Sequence, residues 1–419
     1  MNVLVVGSGA REHAICWKLR QSVDLKELWV APGNPGMARV ANPVNISVDD
    51  MDGLLRFVRE RSIDFVVVGP ELPLTLGITD YFEEAGIAIF GPCKAAAMLE
   101  GSKSFAKEIM KAAGVPTADY KEFINLQEAQ EYIREIGAPI VVKADGLAAG
   151  KGVFVCLELD QALEACRKLF TEIPKPRIVI ESYLSGTEAS FIVATNGSII
   201  LPLASSHDYK RIYDRDQGPN TGGMGSVCPT PRMNAVQEQK VIDEVIRPVL
   251  RELEVRRIPF CGFLYAGLML SPDGGISVLE FNARLGDPEC QSIMRRMKGD
   301  LLKELLTLCK ERGGKQQIHQ LDWSDEVAVC VVLAAEGYPE SPTLGDSIEG
   351  LMLAESVNGV ELFHAGTKLS GRDKLVTSGG RVMSVTALGA DLSSARQRAY
   401  QAVDLIQFRG RQVRRDIGS

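Results

Sequence analysis

The stretch Val278-Leu-Glu-Phe-Asn-Ala-Arg-Leu-Gly-Asp-Pro-Glu289 begins as a β-strand and ends as a polar loop broken by glycine and proline. Successive side chains of a strand point to opposite faces. We therefore expect Glu280, Asn282 and Arg284 on one face and the alternate apolar residues, beginning with Leu279, on the other. The apolar set can pack in a core while the polar set faces a cleft.

The polar face of this strand indicates a metal–nucleotide site. A carboxylate and an amide oxygen two residues apart are hard ligands suited to Mg²⁺, which usually completes its shell with water and substrate phosphates. Glu280 and Asn282 have this spacing, and Arg284 adds a planar guanidinium for a carboxylate or phosphate. An ordinary amphipathic edge strand with a solvated polar face is the alternative interpretation.

Composition limits the class of protein. The chain has 419 residues and a net charge of −7, and its length predicts two to four packed units. The acidic balance disfavours nucleic-acid binding, which needs a basic surface. Nine scattered cysteines without a CxxC pair are typical of reduced thiols in a cytosol. No apolar run is long enough to span a membrane and no signal peptide is apparent, so we expect a cytoplasmic protein without membrane partners.

The first hundred residues predict an open parallel sheet, because short apolar strands alternate with helices and lead into polar loops. The expected strands are Val3–Val6, Leu28–Val30, Phe65–Val68 and Ile87–Phe90. Ligands of such sheets bind beyond the carboxyl ends of the strands.

Two loops at those ends are candidate ligand sites. Gly7-Ser-Gly-Ala-Arg-Glu-His13 joins a strand to a helix, where free backbone N–H groups can bind an anion. Glu12 stands where a dinucleotide fingerprint needs a third glycine, so a nicotinamide cofactor is disfavoured. Arg11 instead suits a phosphate monoester, although a solvated arginine in a tight turn is an alternative. The loop Ala31–Gly36 is expected to lie beside the first loop.

Two lysines in the middle of the chain indicate phosphate contacts. Lys103 follows the possible N-cap Ser102, near a positive helix end where an anionic ligand would offset its charge. Lys143 ends the apolar strand Ile140–Val142, where an unpaired charge is costly. The small-residue loop that follows carries Lys151 without Walker spacing. A hairpin folding over a triphosphate is the favoured interpretation, and a plain mobile hairpin is the alternative.

The second half of the chain predicts a polar loop, a hairpin and a small final unit. The run Asp214–Gly225 contains four glycines and no core, which favours a functional loop. The lone His207 suits hydrogen bonding better than metal binding. Phe263–Leu270 and Ile276–Phe281 form the hairpin that carries Glu280 and Asn282. From position 326 the pattern is α+β, without a catalytic cluster.

Two long helices are also expected in this half. One should cover Gln237–Glu252 and end or kink at Pro248. The other should run from Glu289 to Arg312.

These stretches resemble the glycinamide ribonucleotide synthetase family, ATP-grasp enzymes of purine synthesis. Two departures, Ala10 in place of a frequent glycine and Ala283 with Leu285 in place of the usual Cys and Phe, leave the polar residues unchanged. The matching runs follow the family order through nearly the whole chain: Gly7–His13, Ala31–Gly36, Gly69–Glu71, Gly101–Lys107, Val142–Val153, Gly218–Gly225, Gly262–Met269, Glu280–Glu289, Ala334–Pro339 and His364–Thr367.

The resemblance implies a multidomain α/β and α+β protein. A Rossmann-like parallel-sheet domain is expected at 1–101, and a small α+β domain that closes the substrate side at 325–419. Between them, the two parts of an ATP-grasp unit are expected at 102–190 and 191–324, with a lid subdomain at 117–188. The glycine-rich loops 146–152 and 218–225 are expected to exclude water during the reaction.

The resemblance also implies the nucleotide and metal contacts. Glu280 and Asn282 are the expected ligands of Mg²⁺ or Mn²⁺. The expected ATP contacts are Lys103, Lys143, Glu181, Ser182, Tyr183, Leu184, Glu188, Arg211 and Asn220.

The two remaining substrates are implied in the same way. Asp208 is expected to hold the ammonium of glycine and Arg284 its carboxylate, and both count with Lys143 as catalytic. The expected contacts to 5-phosphoribosylamine are Gly9, Arg11, Glu12, Asn34, Pro35 and Glu71.

The implied reaction uses ATP to convert glycine to glycyl phosphate, which the amine of 5-phosphoribosylamine attacks to give glycinamide ribonucleotide, ADP and phosphate. Phosphoryl transfer needs charge neutralisation and in-line positioning more than acid–base chemistry. A monomer is expected. An ATP-grasp ligase with other substrates and a nucleotide-binding regulator without turnover are the alternatives.

Overall fold

The N-terminal part is a parallel sheet buried on both faces. The computed structural model describes residues 1–147, 152–311, 315–371 and 374–419. The strand order is β3-β2-β1-β4-β5, and every adjacent pair is parallel. The strands are β1 Asn2–Gly7, β2 Glu27–Pro32, β3 Asn42–Pro43, β4 Phe65–Val68 and β5 Ile89–Phe90. The predicted parallel sheet is confirmed, because continuous apolar runs such as Val3–Val6 are fully buried.

The loops after β1 and β2 lie side by side, as expected. The N–H of Gly33 donates to the carbonyl of Gly7 at 3.0 Å, and Asn34 Nδ2 donates to the carbonyl of Ser8 at 2.9 Å. A 3₁₀ helix, Pro35–Arg39, follows the second loop. The α-helices of this part are α1 Ala10–Leu19, α2 Met51–Glu60, α3 Glu71–Leu76, α4 Ile78–Glu84 and α5 Lys94–Gly101.

A second sheet, the lid sheet, lies within residues 117–188, where a lid subdomain is expected. Its order is β6-β9-β7-β8, and helices α7 and α8 pack against it around a core that includes Ile133, Val142 and Cys166. The elements are β6 Tyr120–Phe123, α7 Leu126–Ile136, β7 Ile140–Ala144, β8 Val153–Cys156, α8 Leu159–Glu172 and β9 Ile178–Ser182. Lys151 and the centre of the hairpin between β7 and β8 lie outside the described residues.

The third sheet has the order β17-β16-β10-β11-β18 and carries the predicted polar strand. Its strands are β10 Thr187–Thr195, β11 Ile199–Pro202, β16 Gly262–Leu270, β17 Ile276–Asn282 and β18 Gln317–Ile318. The predicted β16–β17 hairpin is confirmed. The expected alternation of side chains along β17 is wrong at one position. Gly267 pairs with Glu280 and the next residue, Leu268, pairs with Val278, so one residue of β17 is skipped. The β-bulge leaves Leu279 without a partner and turns it towards the same cleft as Glu280.

Strands from two distant parts of the chain form the fourth sheet, in the order β12-β15-β19-β23-β20. Its strands are β12 His207–Asp208, β15 Gly225–Cys228, β19 Val327–Ala334, β20 Val360–His364 and β23 Arg381–Gly389. This sheet therefore crosses the expected division at residue 324. The expectation of a coreless run up to Gly225 is also wrong, because Met224 is fully buried with Ile212 and Ala334.

His207, on β12 of the fourth sheet, is buried beside Thr230, with 2.8 Å between its Nδ1 and the threonine Oγ1, in agreement with a hydrogen-bonding role.

Two small hairpins and two helices lie outside these sheets. The remaining elements are β13 Arg211–Tyr213 with β14 Gln217–Asn220, β21 Thr367–Leu369 with β22 Leu375–Thr377, α13 Leu351–Glu355 and α14 Leu392–Leu405.

One helix begins at the residue that the sequence predicts. Helix α6, Lys103–Ala113, begins after Ser102, whose Oγ accepts from the N–H of Phe105 at 3.2 Å, so the predicted N-cap is confirmed.

The helix expected over 237–252 is divided by a π-helical turn, Ile242–Ile246, into α9 Ala235–Val241 and α10 Arg247–Val255. This turn precedes Pro248, which lacks the N–H for a regular helical bond. The single helix expected from 289 to 312 is wrong. It is two helices, α11 Glu289–Arg296 and α12 Leu301–Lys310, and Asp300 caps the second. No helix in the described ranges is both long and apolar enough to cross a membrane.

The backbone of His364 joins the C-terminal sheet to the two N-terminal loops. Its N–H donates to His13 Nδ1 at 2.9 Å, and its carbonyl accepts from Asn34 Nδ2 at 2.8 Å. Burial, together with the nearby His364 and Arg39, lowers the pKa of His13 to about 3. The His13 ring is therefore neutral at physiological pH and can accept this bond.

Replacing His13 with leucine should lower the free energy of unfolding by about 1–3 kcal/mol at pH 7.5, because a buried N–H loses its acceptor. In the unfolded chain His13 binds a proton below about pH 6.5, whereas in the native protein it stays neutral until about pH 3. The wild type therefore loses stability as the pH falls through this window, and the variant does not share that loss.

The difference between wild type and His13→Leu should consequently shrink by roughly 1 kcal/mol between pH 7.5 and pH 5.5. Urea unfolding at both pH values measures it. A difference that stays constant with pH would contradict the burial of a neutral acceptor.

Candidate active site

Residues from the N-terminal part, the lid sheet, strand β17 and the C-terminal region line a cleft of about 490 Å³. A neighbouring pocket of about 540 Å³ shares several of its walls. The predicted residues on the walls of the cleft are Arg11, Glu71, Lys103, Lys143, Glu181, Asp208, Glu280, Asn282 and Arg284. The predicted residues that line the pocket are Lys143, Glu181, Ser182, Tyr183, Leu184, Glu188, Asp208, Arg211, Asn220 and Glu280. The structure therefore brings together the residues expected to contact ATP, metal and glycine.

Strand β17 places two oxygen donors in the cleft. Burial by itself raises the pKa of Glu280, but Lys210, Lys143 and Lys103 outweigh this effect and lower the pKa below its ordinary value. Glu280 is therefore an ionised carboxylate. The amide nitrogen of Asn282 is best oriented to donate to Glu100 Oε1 and to the carbonyl of Phe281, both at 3.2 Å, which leaves its oxygen for a cation.

This donor set fits a divalent cation that also binds substrate. Within the ranges that the structure describes, no group of three or more His, Cys, Asp or Glu side chains is arranged to hold a metal by itself. Glu280 and Asn282 supply two hard oxygen ligands, so phosphate and water oxygens would have to complete the shell. Mg²⁺ is commonly bound in this way.

A buried carboxylate pairs two lysines at the wall opposite this strand. Glu181 on β9 lies 2.7 Å from Lys143 Nζ and 3.2 Å from Lys107 Nζ, and its side chain is 3% exposed. Lys143 Nζ also donates to the carbonyl of Leu279 at 3.2 Å, which links the lid sheet to β17. The anionic partner expected for Lys143 is present in the protein itself. Lys107 was missed by sequence reasoning, although it lies one turn after Lys103 on α6.

Lys103 reaches the loop at the end of β7. Its backbone N–H donates to Asp145 Oδ1 at 2.6 Å, and its Nζ donates to the carbonyl of Gly146 at 3.0 Å. The carboxylate of Asp145 thus lies at the positive end of α6, where it is favourable. Burial lowers the pKa of Lys103, while Glu280 acts in the opposite direction.

Asp208 belongs to an acidic group around a lysine that the sequence did not reveal. Lys210 Nζ lies 3.0 Å from Glu188 Oε2 and 4.0 Å from Glu280 Oε1. Burial raises the pKa of Asp208, Lys210 opposes this effect, and Glu289, Glu188 and Glu280 strengthen it, so that the pKa is about 7. The carboxyl group of Asp208 can therefore change its charge near neutral pH.

Two guanidinium groups lie at the other end of the cleft. Arg284 pairs with Glu100 at 2.7 Å and with Glu71 at 3.4 Å, and Arg11 Nη2 lies 3.9 Å from the same Glu71. Both arginines also donate to the carbonyl of Leu285, at 3.1 and 3.2 Å. The end of β17 and the first N-terminal loop thus share one wall, on which two guanidinium groups are paired with carboxylates.

Four of the predicted substrate contacts serve the loops themselves. Glu12 is buried and accepts from the N–H of Gly9 at 2.6 Å and from Arg11 Nε at 2.5 Å. Asn34 is 7% exposed. Its amide nitrogen donates to the carbonyls of Ser8 and His364, and its amide oxygen accepts from the N–H of Met37. Pro35 begins the 3₁₀ helix. In the described part of the chain, Gly9, Glu12, Asn34 and Pro35 are not among the residues that line the cleft or its neighbouring pocket.

The C-terminal region, for which the sequence indicated no catalytic cluster, contributes to the cleft wall. Tyr338 and Arg381 line the cleft, together with Pro339 and Gly380. Nothing in the local sequence pattern signals this placement, because it depends on how β19 and β23 pack against β15.

The fold and the cleft define an ATP-grasp ligase. Residues 101–290 match the model of the phosphoribosylglycinamide synthetase ATP-grasp (A) domain, 1–100 match the N domain and 328–419 the C domain. Ligases of this class use ATP and a divalent metal ion. The expected fold class is thereby confirmed for the central domains as well.

Full-length relatives identify the family. The phosphoribosylamine–glycine ligase of Vibrio vulnificus (strain YJ016) is 47% identical over 426 residues, which cover 100% of this chain and 98% of the relative. That of Brucella melitensis biotype 1 is 47% identical over 421 residues, with 100% and 97% covered. The crystal structure of the Thermotoga maritima enzyme superposes with a TM-score of 0.85 at 34% identity and covers both chains completely. The chain belongs to the phosphoribosylamine–glycine ligase family.

More distant structures share the fold alone. The biotin carboxylase domain of Hydrogenobacter thermophilus 2-oxoglutarate carboxylase matches 98% of this chain and 91% of its own, at 17% identity and a TM-score of 0.72.

Replacing Glu181 with glutamine should lower the free energy of unfolding by about 3–5 kcal/mol, because two buried ammonium groups lose the carboxylate that balances their charge. Lys107→Met should cost clearly less, since Glu181 keeps Lys143 and the methionine fills similar space. Urea unfolding of both variants at pH 7.5 tests this order. Equal losses, or a larger loss in Lys107→Met, would show that Glu181 is not the centre of the group.

Proposed function

We propose that this chain joins glycine to 5-phosphoribosylamine in the cleft, with ATP converted to ADP and phosphate. One observation carries the proposal: Glu280 and Asn282 share a single cleft with Lys103 and Lys143. Oxygen ligands and lysines in one cleft suit a metal-bound triphosphate. The full-length likeness to phosphoribosylamine–glycine ligases supports the same reaction.

The nucleotide is proposed to occupy the pocket beside the cleft. We assign the adenine to the segment 181–184 and a ribose hydroxyl to Glu188, with Arg211 and Asn220 as further contacts. These side chains share one pocket, and Lys143 and Glu280 line both this pocket and the cleft. The triphosphate would therefore point from the pocket into the cleft.

The two other substrates are proposed to lie at the end of the cleft that carries the two arginines. Arg11 and Arg284 can hold a phosphate monoester and a carboxylate, and Asp208 can hold an ammonium group. Glu71 lies between the two arginines. We assign Gly9, Glu12, Asn34 and Pro35 to the framework that shapes this end for 5-phosphoribosylamine.

A carboxylate is a poor acyl donor, so the γ-phosphoryl group is first transferred to glycine. Lys103, Lys143 and Arg284 neutralise the charge that spreads over the transferred group. A divalent cation, proposed to be Mg²⁺ or Mn²⁺ held by Glu280 and Asn282, would supply further neutralisation of the triphosphate. The amine of 5-phosphoribosylamine then attacks the acyl carbon, and phosphate leaves with the bonding electrons of the C–O bond. The nitrogen loses one proton as the amide forms.

We propose further that the enzyme is a cytoplasmic monomer. Its nine cysteines are scattered along the chain without a CxxC pair, which suits a reducing compartment. The functional divisions are proposed near residues 101, 190 and 324. Strands β12 and β15 precede the last division but belong to the same sheet as strands that follow it.

Phosphate release in the presence of ATP, Mg²⁺, glycine and 5-phosphoribosylamine tests the reaction directly. Release should require all components when each is omitted in turn. Release with another carboxylic acid in place of glycine would favour a different ATP-grasp ligase. Nucleotide binding without release would favour a regulator without turnover.

Glu280→Ala should lower kcat at least about 100-fold, the scale of losing one preorganised electrostatic contact. The variant should also lose Mn²⁺ binding in the presence of ADP, measured by electron paramagnetic resonance, while its thermal melting stays close to that of the wild type. The exposed Glu135→Ala is the matched control and should change neither property. Retention of Mn²⁺ binding by Glu280→Ala would reject the metal assignment.

The KM for glycine should rise as the pH falls below 7. The pKa of Asp208 is raised to about 7, so the group is neutral below this pH and no longer attracts an ammonium ion. Asp208→Asn should show a high KM for glycine with little pH dependence between pH 6 and 8. Steady-state kinetics with saturating ATP measure this. A wild-type KM that does not change across this range would contradict the assignment.

A further inference from the structure

One segment of the cleft wall is held by the C-terminal domain from two sides. The N–H of Gly222 donates to Tyr338 Oη at 2.9 Å, and its carbonyl accepts from Arg381 Nη1 at 2.6 Å. All three residues line the cleft. The N–H and the carbonyl of one residue belong to the two peptide groups that flank it, so these bonds restrict rotation of both groups.

The same guanidinium also holds the loop that follows β17. Arg381 Nη1 donates to the carbonyl of Asp287 at 2.7 Å, and Nη2 lies 3.1 Å from Asp287 Oδ2. The second carboxylate oxygen of Asp287 accepts from Gln291 Nε2 at 2.8 Å. One side chain of the C-terminal domain therefore fastens two separate segments of the ATP-grasp unit.

These two segments lead to the two residues assigned to glycine. Gly222 precedes β15, and Ser226 on β15 pairs with Asp208 on β12. Asp287 lies three residues after Arg284 in the same loop. The separation of the Asp208 carboxylate from the Arg284 guanidinium therefore depends on how these segments are held together.

Close packing leaves little room for a side chain at position 222. A Cβ atom there would lie 3.1 Å from Arg381 Cζ and 3.3 Å from Tyr338 Oη. The Arg381 side chain is 23% exposed, so its bonds are largely shielded from water. Arginine suits the position because its planar fork can serve two carbonyls and a carboxylate together, which a lysine ammonium does not match.

We propose that Arg381, with Tyr338, is a positioning residue of the ligase reaction, which sets the distance between the two ends of the glycine site. The inference rests on the proposed function, because it concerns the residues assigned to glycine there. Misplacement of reacting groups by about 1 Å lowers rates on the order of 100-fold. The segments remain tied by Ser226 Oγ, which donates to the carbonyl of Pro288 at 2.8 Å, so loss of the guanidinium should leave the fold intact.

Kinetics of Arg381→Ala, Arg381→Lys and Tyr338→Phe test the proposal. Arg381→Ala should lower kcat about 100-fold and raise the KM for glycine, with the KM for ATP changed less than about twofold. Arg381→Lys should recover only part of the loss, and Tyr338→Phe should lower kcat roughly tenfold, the effect of one hydrogen bond. The matched control is Arg409→Ala, which breaks a 3.0 Å ion pair with Asp346 in the same domain and should behave as the wild type.

Chemical rescue separates positioning from a merely structural role. Guanidinium ion at millimolar concentration should raise kcat of Arg381→Ala, and urea at the same concentration should not. An equal response to both compounds would overturn the proposal, as would kcat of Arg381→Ala within about twofold of Arg409→Ala. A KM for ATP that rises as much as the KM for glycine would also overturn it. If Arg381→Ala does not fold, Arg381→Lys and Tyr338→Phe decide by the same comparison with Arg409→Ala.

The wild type in the same assays keeps the two claims distinct. A wild type without phosphate release would refute the proposed function. An active wild type whose Arg381 and Tyr338 variants match the control would refute only the positioning role.

Discussion

The buried carboxylate of Glu181 is the interaction on which the cleft depends. It compensates Lys107 from α6 and Lys143 from β7, and Lys143 in turn bonds the carbonyl of Leu279 on β17. Removing any charge of this group from water is costly unless a partner is present. The lid sheet and strand β17 are therefore fixed relative to each other along one wall of the cleft.

The rest of the cleft follows the same rule of compensated charge. Arg284 and Arg11 are balanced by Glu100, Glu71 and Glu12, so their side chains are ordered before any anion arrives. Preorganised charges need little reorganisation when negative charge develops during phosphoryl transfer. The acidic net charge of −7 is compatible with anionic substrates because lysine and arginine side chains line the cleft.

The C-terminal domain is part of the catalytic unit in structural terms. Strands β12 and β15 belong to its sheet, although they lie in the middle of the chain. The backbone of His364 and the side chain of Arg381 extend this attachment to the N-terminal loops and to the cleft. A contact that links residues more than 300 positions apart in sequence, such as His13 with His364, leaves no trace in local periodicity.

The sequence by itself determined the parallel sheet, the β16–β17 hairpin and the cap of α6, because these follow from apolar periodicity and turn chemistry over a few residues. It also indicated Glu280 and Asn282 from the spacing of two oxygen ligands, and Lys103 and Lys143 because a lysine at a helix start or at the end of an apolar strand needs an anionic partner. Only the tertiary structure decided the bulge at Leu279, the break after α11, and the placement of Lys107, Lys210, Tyr338 and Arg381. Strand pairing and packing between distant segments set those positions, and neither is encoded in the spacing of neighbouring residues.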